Sequence, residues 1–117
     1  MPVPDYVYKV ASREIYEASQ EEGSFVGQPI DLKDGYIHFS TAAQLRETIR
    51  LYFAGLGGQI LFAVPVAPFG DAMKWEASRG GDLFPHLHAE LPMSSVTRMA
   101  DLDVPADGVV ILPEWVR

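Results

Sequence analysis

The stretch that most restricts the fold is "QILFAVPV", residues 59–66. It has no polar face. A half-buried strand alternates apolar and polar residues, whereas a strand apolar at successive positions is covered on both sides. The segment therefore reads as the central strand of a sheet. Its apolar run, "ILFAVPVAPF", is too short to span a bilayer and is broken by Pro65 and Pro68.

Other elements fall around this strand. "YVYKVAS", residues 6–12, is rich in Tyr and Val and predicts a strand. Ser12 caps a following helix, "REIYEASQEEG", which stops at Gly23 and turns its glutamates to water. "SFVGQPIDLKDG" carries turn residues and reads as a loop. In "DGYIHFSTAAQ", Ile37 and Phe39 share one face of a short strand, and Tyr36, His38 and Ser40 share the other. Thr41 and Gln44 have the spacing of a capping box. They open a helix whose apolar stripe is Leu45, Ile49, Tyr52 and Phe53.

Downstream, "AMKWEAS" alternates Met73, Trp75 and Ala77 against Lys74, Glu76 and Ser78. A short extended piece is expected around residues 83–88, with further strands in 94–102 and 108–116. Two helices in the N-terminal half, followed by strands on short connections, predict an α+β fold with a mixed or antiparallel split sheet. The 117 residues suit one domain, 1–117, and no linker is visible.

Charge narrows the functions. There are 9 Lys and Arg against 16 Asp and Glu, a net charge of −7. Non-specific grip on DNA or RNA needs clustered cations, so DNA is not an expected partner and charge gives an RNA acceptor no support. With no cysteine, disulfides, thiolate metal sites and a thiol nucleophile are excluded. "MPVPDYVYKV" does not resemble a signal peptide, and a cytoplasmic protein without membrane contact is expected.

The candidate chemical groups are few: Lys9, His38, Ser40, Thr41, Trp75, Glu76, Ser78, Arg79, His86 and His88. His86-x-His88 places two rings on one face of an extended segment, and His38 offers a third ligand for zinc. The motif is short, no H-E-x-x-H accompanies it, and no metal is expected. G-x-S-x-G, the P-loop and the dinucleotide fingerprint are absent. Each residue also has an architectural reading. His38 suits a sheet edge, Trp75 a core, Arg79 a solvated loop and Thr41 a helix cap.

"YKVAS", "DGYIHFSTAAQ" and "KWEASRGGDLFPHLHAELP" resemble the bacterial domain-of-unknown-function family numbered 952, from about Tyr6 to about Pro113. That family is similar in fold to the ADP-ribosyltransferases, and above all to the NAD-dependent RNA 2′-phosphotransferases. Those enzymes carry L-Y-H-G-T on the first strand and H-V-H-L-S on the second. Tyr8-Lys9 falls at the first motif, and "IHFS" matches the second with His38 and Ser40 in register. Lys9 replaces the histidine that grips the NAD ribose in the superfamily, and the paired-glutamate motif of arginine-modifying toxins is absent. Glu76 and Glu90 are the nearby carboxylates.

The resemblance implies a nucleotide-like ligand, NAD as cofactor, and group transfer. Lys9, His38, Ser40, Thr41, Trp75 and Arg79 are the expected binding residues. Lys9 and Arg79 would meet a diphosphate, and Trp75 would stack on a base. His38, His86 and Glu76 are the expected catalytic residues. Two alternatives stay open: a non-catalytic small-ligand or interaction module, and a histidine-based metal site.

Overall fold

The computed structural model describes residues 3–117. Six strands and three α-helices follow in the order β1 (Tyr6–Ser12), α1 (Arg13–Glu22), α2 (Pro29–Asp34), β2 (Ile37–His38), α3 (Ala42–Tyr52), β3 (Gln59–Pro65), β4 (Met73–Ala77), β5 (Leu83–Leu87) and β6 (Arg98–Leu102). The class is α+β. The strands form two three-stranded sheets, β1-β3-β6 and β2-β5-β4, and every strand pair is antiparallel.

The apolar segment is the central strand β3, as its composition requires. Ile60, Phe62 and Val64 point to one side with Val7 and Ala11 of β1. Leu61 and Ala63 point to the other with Tyr8, Val10 and Leu102. Each side is covered. The first core lies between the two sheets and includes Tyr16, Phe25, Ile37, Phe39, Met73 and Leu87. The second is roofed by Leu45 and Ile49 of α3 and by the C-terminal segment through Val110 and Trp115.

The sheets touch at one point. Tyr8 and Ser40 exchange both backbone hydrogen bonds at 2.8 Å. One step away the strands no longer pair. There the backbone N–H of His38 goes to Asp31 Oδ1 at 2.9 Å, and its carbonyl accepts from Lys9 Nζ at 2.7 Å. Lys9 Nζ also donates to Asp31 Oδ1 at 3.1 Å, and both side chains are buried. Two side chains thus do at the split what backbone pairing does at Tyr8.

Three expectations are corrected. Residues 29–34 form a helix, not a loop. Pro29 suits a first helical turn, and the Asp31 side chain reaches back to accept from the Gln28 N–H at 2.7 Å. Gly35 ends it at φ 82°, a conformation glycine adopts without cost. Residues 108–116 form no strand. Gly108 passes so close to α3 that a Cβ would stand 2.8 Å from Arg50 Cα, and the segment is tied down by side chains instead. Arg46 donates to the Val110 carbonyl at 3.0 Å, and the Tyr8 hydroxyl donates to the Arg117 carbonyl at 2.9 Å. Tyr52 is exposed rather than buried, so the α3 stripe that seeks the core is Leu45 and Ile49.

Breaking a buried ion pair by removing one partner costs about 3–5 kcal/mol, because the other charge is left without compensation. Lys9→Met is expected to lower the unfolding free energy by about that amount in urea titrations. A loss below about 1 kcal/mol would place the pair among the weakly contributing surface bridges.

Candidate functional site

The second sheet has an apolar and a polar face, and strand alternation decides which residues share them. Ile37, Phe39, Met73, Trp75 and Leu87 turn to the first core. His38 stands opposite His86, and His86 opposite Lys74, so Tyr36, His38, Phe84, His86, His88, Lys74 and Glu76 share the outer face. All three histidines of the chain meet there.

Tyr36 holds them together. Its ring centroid lies 4.6 Å from that of His38, 4.4 Å from His86 and 4.8 Å from His88. His38 and His86 meet edge to face at 5.2 Å. Glu76 Oε1 accepts from His86 Nδ1 at 3.0 Å and from His88 Nε2 at 2.7 Å. His38 Nδ1 lies 2.8 Å from Asp31 Oδ1, and its Nε2 lies 2.9 Å from Asp34 Oδ2.

His86 combines two properties. Its side chain is 3% exposed, and Nε2 has no partner among the described residues. No buried side-chain nitrogen or oxygen among the described residues lacks a partner, so Nε2 reaches the surface. With Nδ1 donating to Glu76, Nε2 of the neutral ring is an acceptor. This is the arrangement of a carboxylate-oriented general base.

The charges follow from these contacts. Burial pulls Lys9 below its ordinary value, partly offset by Asp31. Burial pushes Asp31 upward, but the hydrogen bonds from His38 and Gln28 and the charge of Lys9 outweigh it and hold the carboxyl below its ordinary range. Hydrogen bonds from His88 and His86 lower Glu76. Burial lowers His86, with Glu76 opposing. Burial and the charges of Asp34 and Glu76 raise Tyr36.

The other expected site residues divide. Ser40 is buried, with Oγ 3.0 Å from Thr48 Oγ1. Arg79 Nη1 donates to the same Thr48 oxygen at 3.2 Å, and its guanidinium lies over the Phe84 ring at 4.8 Å. Ser40 and Arg79 therefore sit at the Phe84 end of the histidine face. Thr41 is occupied as the cap of α3, in the expected capping box with Gln44. Two expectations are overturned. Lys9 does not face a diphosphate, because it is buried and spent on Asp31 and His38. Trp75 does not stack beside the histidines. It lies on the opposite face of the sheet, packed against the first core.

Sequence reading missed Tyr36, Asp31 and Asp34 as site residues. The signal for Asp31 was a carboxylate at the third helical position, after Pro29, placed to cap the Gln28 N–H, in the segment read as a loop. Beyond Tyr36 and His88 a groove of about 450 Å³ opens, with Phe25, Leu32, Ile37 and Glu90 in its walls. Among the described residues, no three His, Asp or Glu side chains are placed to hold a metal ion. No described helix is long and apolar enough to cross a membrane.

A histidine lowered by burial binds its proton more weakly folded than unfolded. Between its depressed value and the ordinary 6.5, the unfolded chain holds more protons, so stability falls as pH falls through that window. Asp31 and Glu76, both lowered, contribute stability that is lost only below the ordinary carboxylate range. Replacing His86 with Gln is expected to flatten the decline in urea midpoint between about pH 7 and pH 5. An unchanged decline in the variant would show that His86 does not carry it.

Comparison with known proteins places the geometry in a family. No curated protein matches the chain. The X-ray crystal structure of protein CC0527 from Caulobacter crescentus is 48% identical, with a TM-score of 0.84 over 89% of this chain and 91% of that chain. The solution NMR structure of CC0527 gives a TM-score of 0.78 at 48% identity, over 89% of this chain and 90% of that one. The family described as "Protein of unknown function (DUF952)" matches residues 10–99, and the chain belongs to that family.

Proposed function

We propose that the chain binds a small nucleotide-like ligand of the NAD type on the outer face of the second sheet, on an ADP-ribosyltransferase-like framework. The observation that carries this reading is the convergence of His38, His86, His88 and Glu76 on one face, with Ser40 and Arg79 at its end. Arg79 is a half-buried guanidinium with no carboxylate partner among the described residues, which suits it to a phosphate oxygen. His86 and His88 suit ribose hydroxyls. The split antiparallel sheet, joined at Tyr8 and Ser40, is consistent with the framework that the sequence resemblance implies.

Group transfer fits the same face. An acceptor hydroxyl attacks the ribose carbon that bears nicotinamide, and the carbon–nitrogen bond breaks. Its electron pair stays on the leaving base, which departs neutral. The acceptor's proton passes to His86 Nε2, which Glu76 orients through Nδ1. The oxocarbenium-like charge on the ribose is favoured by the nearby carboxylate.

One observation favours a second reading, a ligand-binding module without catalysis. The first-strand position that grips the NAD ribose in the transferases is Lys9, and Lys9 is buried and paired.

Thermal shift with NAD and with ADP-ribose tests the binding. Ligand at a hundred times Kd is expected to add about 2.7 kcal/mol of stability. Arg79→Ala is expected to weaken binding about tenfold or more, the worth of a charge-assisted hydrogen bond. No response to either nucleotide overturns the proposal. Release of nicotinamide, followed by mass spectrometry, selects transfer. Binding with unchanged NAD selects the module.

A further inference from the structure

His38 is the one histidine of the site whose two ring nitrogens both meet carboxylates, and the two carboxylates differ in kind. Asp31 is fixed. Its side chain is 3% exposed, Oδ1 accepts from Lys9 Nζ, His38 N–H and His38 Nδ1, and Oδ2 accepts from the Gln28 N–H at 2.7 Å. Asp34 is free to move. It is the last residue of α2, its side chain is 33% exposed, and among the described residues its carboxylate has no partner other than His38 Nε2.

We infer that Asp31 is the positioning residue that makes Nε2 the working nitrogen of His38, and that Asp34 is an internal stopper occupying that nitrogen until a ligand or a proton acceptor displaces it. An ionised carboxylate only accepts, so the Asp31 contact requires a hydrogen on Nδ1. Nε2 is then the atom that gains or loses a proton. With the proton present, Nε2 donates to Asp34. With it gone, a lone pair faces a carboxylate oxygen across 2.9 Å, and the contact becomes repulsive. The exposed carboxylate rotates into water, and Nε2 opens as an acceptor.

The remaining groups around His38 leave these roles to the two aspartates. From β1, Lys9 reaches the His38 carbonyl and Asp31, not the ring. From the neighbouring strand positions, Tyr36, His86 and His88 present rings, and Glu76 of β4 is taken by His86 and His88. Lys74 of β4 shares the sheet face and has no hydrogen bond to the ring. Asp34 lies on the helix that walls the groove through Asp31 and Leu32.

This inference rests on the reading of the histidine face as the site, but its test needs no nucleotide, so the two can fail separately. Long-range nitrogen–proton NMR of the imidazole rings reports which nitrogen holds the hydrogen, and carbethoxylation followed by mass spectrometry reports access to Nε2. In the unaltered protein, neutral His38 is expected as the Nδ1–H form. Asp34→Ala is expected to keep that form and to raise the carbethoxylation rate of His38 several-fold. Asp31→Asn, in molecules whose amide spectrum stays folded, is expected to mix the two tautomers. An Nε2–H form in the unaltered protein overturns the positioning role, even if Asp31→Asn does not fold. An unchanged rate in Asp34→Ala overturns the stopper.

Discussion

The buried pair of Lys9 and Asp31 is the contact on which the arrangement of this molecule depends. Two sheets meet at Tyr8 and Ser40 and then part, leaving the N–H and carbonyl of His38 turned to a strand that no longer pairs with them. Buried backbone polar groups need partners, and here a lysine and an aspartate supply them. The cost is the desolvation of two charges. Asp31 offsets it with four accepted hydrogen bonds, and Lys9 with contacts to Asp31, the His38 carbonyl and the faces of Phe25 and Phe39. A hydrophobic pair in the same place would fill the volume but leave His38 without its backbone partners.

The same contact reaches the outer face. Asp31 binds both the backbone and the ring of His38, so it fixes the strand and the imidazole orientation together. Tyr36 then packs against three histidine rings, and Glu76 ties His86 to His88. The result is a polar surface organised from the core outward, on which two imidazole nitrogens, His86 Nε2 and His88 Nδ1, have no hydrogen-bond partner among the described residues. An acidic chain keeps its interior cation for architecture and leaves Arg79, at the Phe84 end, and Lys74 of β4 as cations of the face.

Much of this was legible in the sequence wherever a period decides the outcome. The apolar run 59–66 required a central strand, and β3 is that strand. Alternation put Ile37 and Phe39 in the core and His38 outside, and it put Trp75 on the core side of "MKWEA". Reading Trp75 as a stacking platform set that alternation aside, which is why it failed. The Thr41 and Gln44 cap is local chemistry and was readable as such. Lys9 was not readable. A lysine in a strand of alternating residues gives no sign that a carboxylate from a segment 22 residues away will meet it inside. Asp31 was hidden for the same reason, since the six-residue helix that carries it is too short for a periodic signal. Residues 108–116 look like a strand because they are apolar, yet they are held by side-chain contacts and by the approach of Gly108 to α3.

A double-mutant cycle between Lys9 and Asp31 tests the account most directly, with unfolding free energies measured in urea for Lys9→Met, Asp31→Asn and the double variant. Residues that act as one unit show coupling of about 0.5–3 kcal/mol. The account predicts a coupling in the upper part of that range, because either single change leaves a buried group without its partner. Additive effects, with coupling indistinguishable from zero, would mean that Lys9 and Asp31 stabilise the fold independently, and that the pair does not join the two sheets.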